Sequence, residues 1–129
     1  MRGFLLQDWK TIRGNSGASG PLVTSIPQGA DNWLDLGEYE DVVVTLDCAE
    51  WTNSNVQLAY ETSPTRQDAS FVAMRQPFAP AVGRTVERIA TRFSAVPPAR
   101  YLRWRLTCSV SGTYDLTFRI WIAAYAWVQ

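Results

Sequence analysis

The sequence predicts an all-β protein: an antiparallel β-sandwich of jelly-roll type, with about eight strands and an N-terminal arm. Three observations predict it. Apolar and polar residues alternate with a period of two in several segments, the pattern of a strand with one face in a core. Turn-forming clusters recur every ~8–12 residues, the spacing of sandwiches and barrels. No helix-length amphipathic run competes, except over Thr85 to Phe93, where the alternation is less clean.

The elements follow in chain order. Residues 1–20 read as an extended arm and linker, and residues 21–129 as a single sandwich domain. The run Gly14-Asn15-Ser16-Gly17-Ala18-Ser19-Gly20-Pro21 is a flexible linker by composition. Two readings of the arm stand open. It is a disordered end, or it docks on a neighbouring subunit, because Phe4, Leu5, Leu6 and Trp9 are costly to leave in water. Short strands are expected at Leu22–Ile26 and Trp33–Leu36. Asp41 to Cys48 is rich in β-branched residues. Val56, Leu58 and Tyr60 alternate with Gln57, Ala59 and Glu61, and Phe71 to Met74 forms another short run. In Tyr101 to Cys108, Leu102, Trp104, Leu106 and Cys108 share one face, and Tyr101, Arg103, Arg105 and Thr107 the other. In the last strand Tyr114, Leu116, Phe118, Ile120 and Ile122 face inward, with Asp115, Thr117, Arg119 and Trp121 opposite. Turns are expected at Thr52–Asn55, Ser63-Pro64, Gln76–Gly83, Val96–Pro98 and Ser111-Gly112.

The 129 residues carry 12 bases, 12 acids and no histidine. Zero net charge argues against a field that gathers nucleic acid or an anionic membrane. The missing histidine removes the commonest general base and zinc ligand, so hydrolase and metalloenzyme chemistry is not expected. The longest nearly apolar run, Ile120 to Val128, is too short to span a membrane as a helix, which needs ~20 such residues. The start lacks the apolar region of a signal peptide, so the expected place of action is inside a cell or in something assembled there.

The neutrality hides an asymmetry. Residues 1–64 hold three bases against nine acids, and residues 65–129 nine arginines against three acids. Two readings are open: cross-strand pairing inside one molecule, or an acidic side that meets the basic side of the next subunit head to tail. The bases are 11 arginines and Lys10, a bias that fits either a GC-rich genome or planar, bidentate interface contacts. Nucleic-acid binding is disfavoured, since the acidic half repels the same phosphates and the basic run lacks an RNA-reading signature.

Six tryptophans are many for this length. Trp104 and Trp33 are expected in the core. Trp121 falls on the polar face beside Arg119, and Trp127 lies near the end. Exposed tryptophans on a sandwich stack on sugars or anchor protein interfaces, and interface use is the better expectation. Asp31-Asn32-Trp33-Leu34-Asp35 is a weak calcium-loop candidate. Cys48 and Cys108 fall on apolar faces as buried thiols, with a disulfide across the sandwich as the alternative. Glu38/Glu40 and Asp47/Glu61 stand as formal carboxylate pairs, with nothing to mark them as perturbed. No catalytic residue, cofactor or metal ligand is assigned. The interface candidates are Phe4, Leu5, Leu6, Trp9, Arg103, Arg105, Arg119, Trp121 and Trp127.

Several segments resemble a family. Glu61-Thr62-Ser63-Pro64, Pro98-Ala99-Arg100-Tyr101-Leu102-Arg103-Trp104-Arg105 and Thr113-Tyr114-Asp115-Leu116-Thr117-Phe118-Arg119-Ile120 resemble strands of small β-sandwich proteins of tailed-phage and prophage structural gene clusters. Trp33-Leu34-Asp35-Leu36, Tyr39 and Asp41-Val42-Val43-Val44 resemble their opening. The family's S-x-D-G turn is replaced by Ser63-Pro64-Thr65-Arg66-Gln67-Asp68. Arg100-Tyr101-Leu102-Arg103 is also similar to discoidin-like galactose-binding sandwiches. The resemblance implies a non-enzymatic virion component, a capsid decoration or accessory protein. It would be assembled in the host cytoplasm and act through repeated contacts with capsid proteins or its own copies, as a homo-oligomer or array. A carbohydrate-binding module, with a glycan as partner, is the alternative.

Overall fold

The computed structural model describes residues 2–16, 24–37, 39, 41–90, 96, 98–108 and 112–126. They form nine strands: β1 Arg2–Ser16, β2 Thr24–Pro27, β3 Leu34–Asp35, β4 Asp41–Trp51, β5 Val56–Ser63, β6 Val72–Ala73, β7 Gly83–Ala90, β8 Tyr101–Cys108 and β9 Gly112–Tyr125. Two antiparallel sheets pack face to face, in the orders β1-β9-β4-β7 and β2-β8-β5-β6, with β3 also on β8. β2 and β3 pair with successive stretches of the same edge of β8, so they act as one interrupted strand. The pairs are nested: β1 with β9, β2 with β8, β4 with β7, β5 with β6. That nesting is a jelly roll, a long antiparallel hairpin rolled into two sheets. Thr85 to Phe93 is no helix where described, since β7 runs to Ala90.

Strand parity works as expected. Val42, Val44 and Leu46 of β4, Leu102, Trp104 and Leu106 of β8, and Leu116, Phe118, Ile120 and Ile122 of β9 are all buried. Burying each such side chain favours the fold by ~1.5–3 kcal/mol. Trp104 meets Phe118 edge to face, with ring centroids 5.3 Å apart. Cys48 and Cys108 are buried thiols on different sheets, and burial pushes the Cys48 thiol pKa up. At the expected Thr52–Asn55 turn the Asn53 side-chain oxygen accepts from the Asn55 amide at 2.9 Å. Gly37 has φ +59°, and its amide donates to Asp35 at 2.8 Å, a turn a side chain would strain.

Residues 2–16 correct the arm expectation: they are the edge strand of the first sheet, in register with β9 from Arg2↔Ala124 to Ser16↔Gly112. The physical reason is polar as well as apolar. The buried Trp104 indole N–H needs an acceptor, and Gln7 of β1 supplies it at 3.1 Å across the sandwich. Gln28, itself buried, donates to the Leu6 carbonyl at 2.6 Å where the β1 ladder is irregular. Gly14 lies close against β9: a Cβ there would be 2.6 Å from the Tyr114 hydroxyl, so that ring would have to shift. The linker residues 17–20 and the boundary at residue 21 lie outside the described residues.

Candidate interaction face

The site is built on the outer face of the β1-β9-β4-β7 sheet. Register places Leu5, Trp121, Thr45 and Val86 in one row across all four strands. The row toward Asp41 reads Gly3, Ala123, Val43 and Arg88, and the row on the other side reads Arg119, Asp47 and Arg84. Leu5 is 42% exposed, Trp121 41%, Trp9 47% and Val86 61%. A band with Leu5, Trp121 and Val86 thus runs across the sheet beside one charged row, Arg119, Asp47 and Arg84.

Trp9 joins the band through Arg119. Register shifts in β1 between Leu5 and Lys10 seat Leu6 in the core and leave Trp9 outside. The Arg119 guanidinium lies 4.6 Å from the Trp9 ring centroid and 5.3 Å from that of Trp121. Its own position is held by Asp47, which accepts from Arg119 at 2.8 Å and from Arg84 at 2.7 Å. These bonds, Arg84's first and Arg119's second, hold the Asp47 carboxyl below the usual carboxylate range. Two indoles clamped by a fixed cation lose little freedom on binding, which favours an interface anchor.

The outer face of the other sheet is covered around Arg103. The segment after β5 folds back over β8, and Arg103 is 1% exposed beneath it. Its guanidinium bonds Glu61 at 2.8 Å and Asp68 at 2.6 Å, and lies 3.9 Å from the Phe71 ring centroid and 5.2 Å from that of Trp33. Arg105 shares Glu61 at 3.2 Å. Arg66 reaches the Ala30 carbonyl at 2.9 Å and ties the neighbouring loop to the same cover.

The charge asymmetry therefore resolves largely inside the chain. Among the described residues eight arginines pair with acids: Arg13, Arg75, Arg84, Arg88, Arg100, Arg103, Arg105 and Arg119. The acidic strand β4 lies between β7, which carries Arg84 and Arg88, and β9, which carries Arg119, so these pairs follow from topology. Asp47 and Glu61 sit on different sheets and each binds two arginines, so they form no carboxylate pair. Glu38 and Glu40 lie outside the described residues. Asp35 is taken by Arg100 and the Gly37 amide, and the Trp33 indole donates to the Gln28 carbonyl. The Asp31–Asp35 segment is thereby a tied turn. Among the described residues no three Asp, Glu or Cys side chains are grouped to hold a metal ion.

Two open clefts of about 510 and 380 Å³ meet at Ala126, where β9 ends. Their acids, Asp35 and Asp41, are already bound to Arg100 and Arg88.

Of the nine interface candidates, Leu5, Trp9, Arg119 and Trp121 come together on one face. Phe4 is half-buried against Tyr39, and Leu6 is buried in the core. Arg103 lies buried and Arg105 partly exposed on the opposite outer face, and Trp127 lies outside the described residues. Sequence reasoning missed Val86, although outward parity on its strand was a usable signal, and it named Asp47 as half of a formal carboxylate pair rather than as the anchor of Arg119. Neither protein-family models nor curated proteins give a match to the chain.

Proposed function

We propose that this jelly-roll domain is a non-enzymatic structural subunit of a phage or phage-like particle, of the capsid decoration or accessory type. The observation that carries the reading is the exposed Leu5, Trp9, Trp121 and Val86 band, anchored by Arg119. A contiguous apolar patch rimmed by polar groups marks an interaction site. Aromatic anchors supply most of the energy in such contacts. On a particle, many copies multiply a weak contact, because neighbours raise the effective concentration. The protein would be assembled into the virion in the host cytoplasm.

The test uses particles. Mass spectrometry of particles purified from cells carrying the gene should find the chain at many copies per particle. Shells stripped of it should take up the wild type by cosedimentation and fail to take up Trp121→Ala. Particles that lack the chain, or uptake unchanged by Trp121→Ala, would overturn the reading. The side-by-side exposure of Trp9 and Trp121 also supports a second reading, sugar stacking on a carbohydrate-binding module. Glycan-array binding lost in Trp121→Ala would favour it.

A further inference from the structure

We propose that the cleft at the Asp41 end of this face is a sugar site that takes one ring of a neutral glycan. The proposal rests on the sugar-stacking reading of Trp121 and adds the residues that would grip the sugar.

The site follows from spacing along β9. The side chains of Trp121, Ala123 and Tyr125 share the outer parity and run large, small, large. The two aromatic positions are four residues apart, ~14 Å between Cα atoms. Register puts Gly3 of β1 and Val43 of β4 on either side of Ala123, so the floor stays low across three strands. The result is a slot with an aromatic residue at each end. A flat ring between two aromatic faces needs ~7–8 Å, two contacts of ~3.5–4.0 Å, so a ring has room over Ala123. On the Tyr125 side lies the cleft of about 380 Å³, lined by Asp41, Val43, Arg88, Tyr125 and Ala126. That is near the lower end of the ~300–1,000 Å³ of ligand sites, which suits one or two rings.

The polar group of the cleft is an ion pair held in place. Asp41 stands directly opposite Tyr125 in register. Arg88 reaches its carboxylate from β7 with both Nε, at 3.2 Å, and Nη2. The Asp41 side chain is 8% exposed and that of Arg88 55%. The pair is thus anchored at its base and open to the cleft. An acceptor and a donor fixed side by side match adjacent sugar hydroxyls, because each hydroxyl both donates and accepts. Bonds to charged partners are the stronger kind, and a fixed pair loses little freedom on binding. Tyr125 supplies an apolar face for the C–H side of the same ring and a hydroxyl of its own.

Charge selects the class of glycan. Asp41 and Arg88 cancel, so the cleft has no net charge to draw an acidic sugar, and Asp41 opposes a carboxylate or sulfate placed beside it. A purely apolar ligand would strip water from the pair and return no hydrogen bonds. A neutral ring with adjacent hydroxyls meets both conditions. The next unit of the glycan has Trp121 to stack on, with Trp9 beyond it across Arg119. One ring in so open a cleft binds weakly, with a Kd on the order of millimolar.

The experiment uses the full chain in solution and needs no particle. Saturation-transfer NMR is run with lactose, maltose, cellobiose and mannobiose, and with a sulfated heparin disaccharide as the charged comparison. At least one neutral disaccharide should show transfer and bind more tightly than the sulfated one. Tyr125→Ala should weaken that binding by about tenfold. Arg88→Lys keeps a cation for Asp41 but loses the planar fork, and should also weaken it by about tenfold. Ala123→Arg fills the floor of the slot and should abolish it. Circular dichroism melts of each variant show whether it is folded. The inference is overturned if none of the neutral disaccharides shows transfer at ~50 mM, or if the sulfated disaccharide binds more tightly. Binding unchanged in folded Tyr125→Ala and Ala123→Arg overturns it as well. Binding lost in Trp121→Ala yet kept in Tyr125→Ala also overturns it, and leaves the sugar-stacking reading standing at the tryptophans. Particle uptake is measured separately, so the structural reading survives or fails on its own.

Discussion

At the residue scale, Arg103 shows how one side chain can reverse its expected use. Its parity on β8 is outward, and outward arginine suggests an interface. Instead it is buried, with Glu61 and Asp68 as partners and Phe71 and Trp33 on its faces. Removing one partner of a buried pair costs ~3–5 kcal/mol, because the other charge stays buried. Glu61 keeps Arg105, so Arg103→Met is expected at the low end, about 3 kcal/mol. Arg105→Met, at a partly exposed position, should cost under ~1 kcal/mol. Urea denaturation of both variants checks this contrast. Equal losses would mean that Arg103 is not the keystone of the covered face.

At the element scale, β1 carries the largest revision. It is an edge strand, and its register shifts and Lys10 are features that discourage edge-to-edge pairing. It also completes the core. Deleting residues 2–9 removes Leu6 and leaves the Trp104 indole N–H and the Gln28 amide without their β1 acceptors. The expected loss is at least ~3 kcal/mol from lost burial and orphaned donors. Thermal melting by circular dichroism measures it. A truncated chain that melts within a degree or two of the full one would restore the arm.

At the scale of the whole molecule, arginine–carboxylate pairs stitch distant strands together, which ties stability to pH. Bonds from Arg84 and Arg119 hold Asp47 below the ordinary carboxylate range. Arg100 does the same for Asp35, and Arg103 for Asp68. A depressed folded-state pKa gives stability that is complete above the unfolded value, near ~3.9, and lost as pH falls through the folded value. The melting temperature should therefore be insensitive to these groups between pH 7 and about 5 and fall below about pH 4. A melting temperature unchanged down to pH 2 would show that the pairs contribute nothing.

The sequence by itself determined the strand faces. In β4, β8 and β9 the period of two is enough to say which side chains enter the core, because burial of one face is the dominant energy and reads directly as pattern. It also determined that charges of opposite sign sit in opposite halves of the chain. Only the tertiary structure decided what covers each outer face. Parity placed Arg103 and Trp121 alike as outward, yet the segment after β5 closes over the first and nothing described covers the second. Only the nested topology decided that β4 lies between β7 and β9, which turned a head-to-tail prospect into cross-strand pairs. The reason is the same in each case. Alternation is a local property of a strand, whereas the neighbour of a face or a charge is set by contacts between residues far apart in the chain.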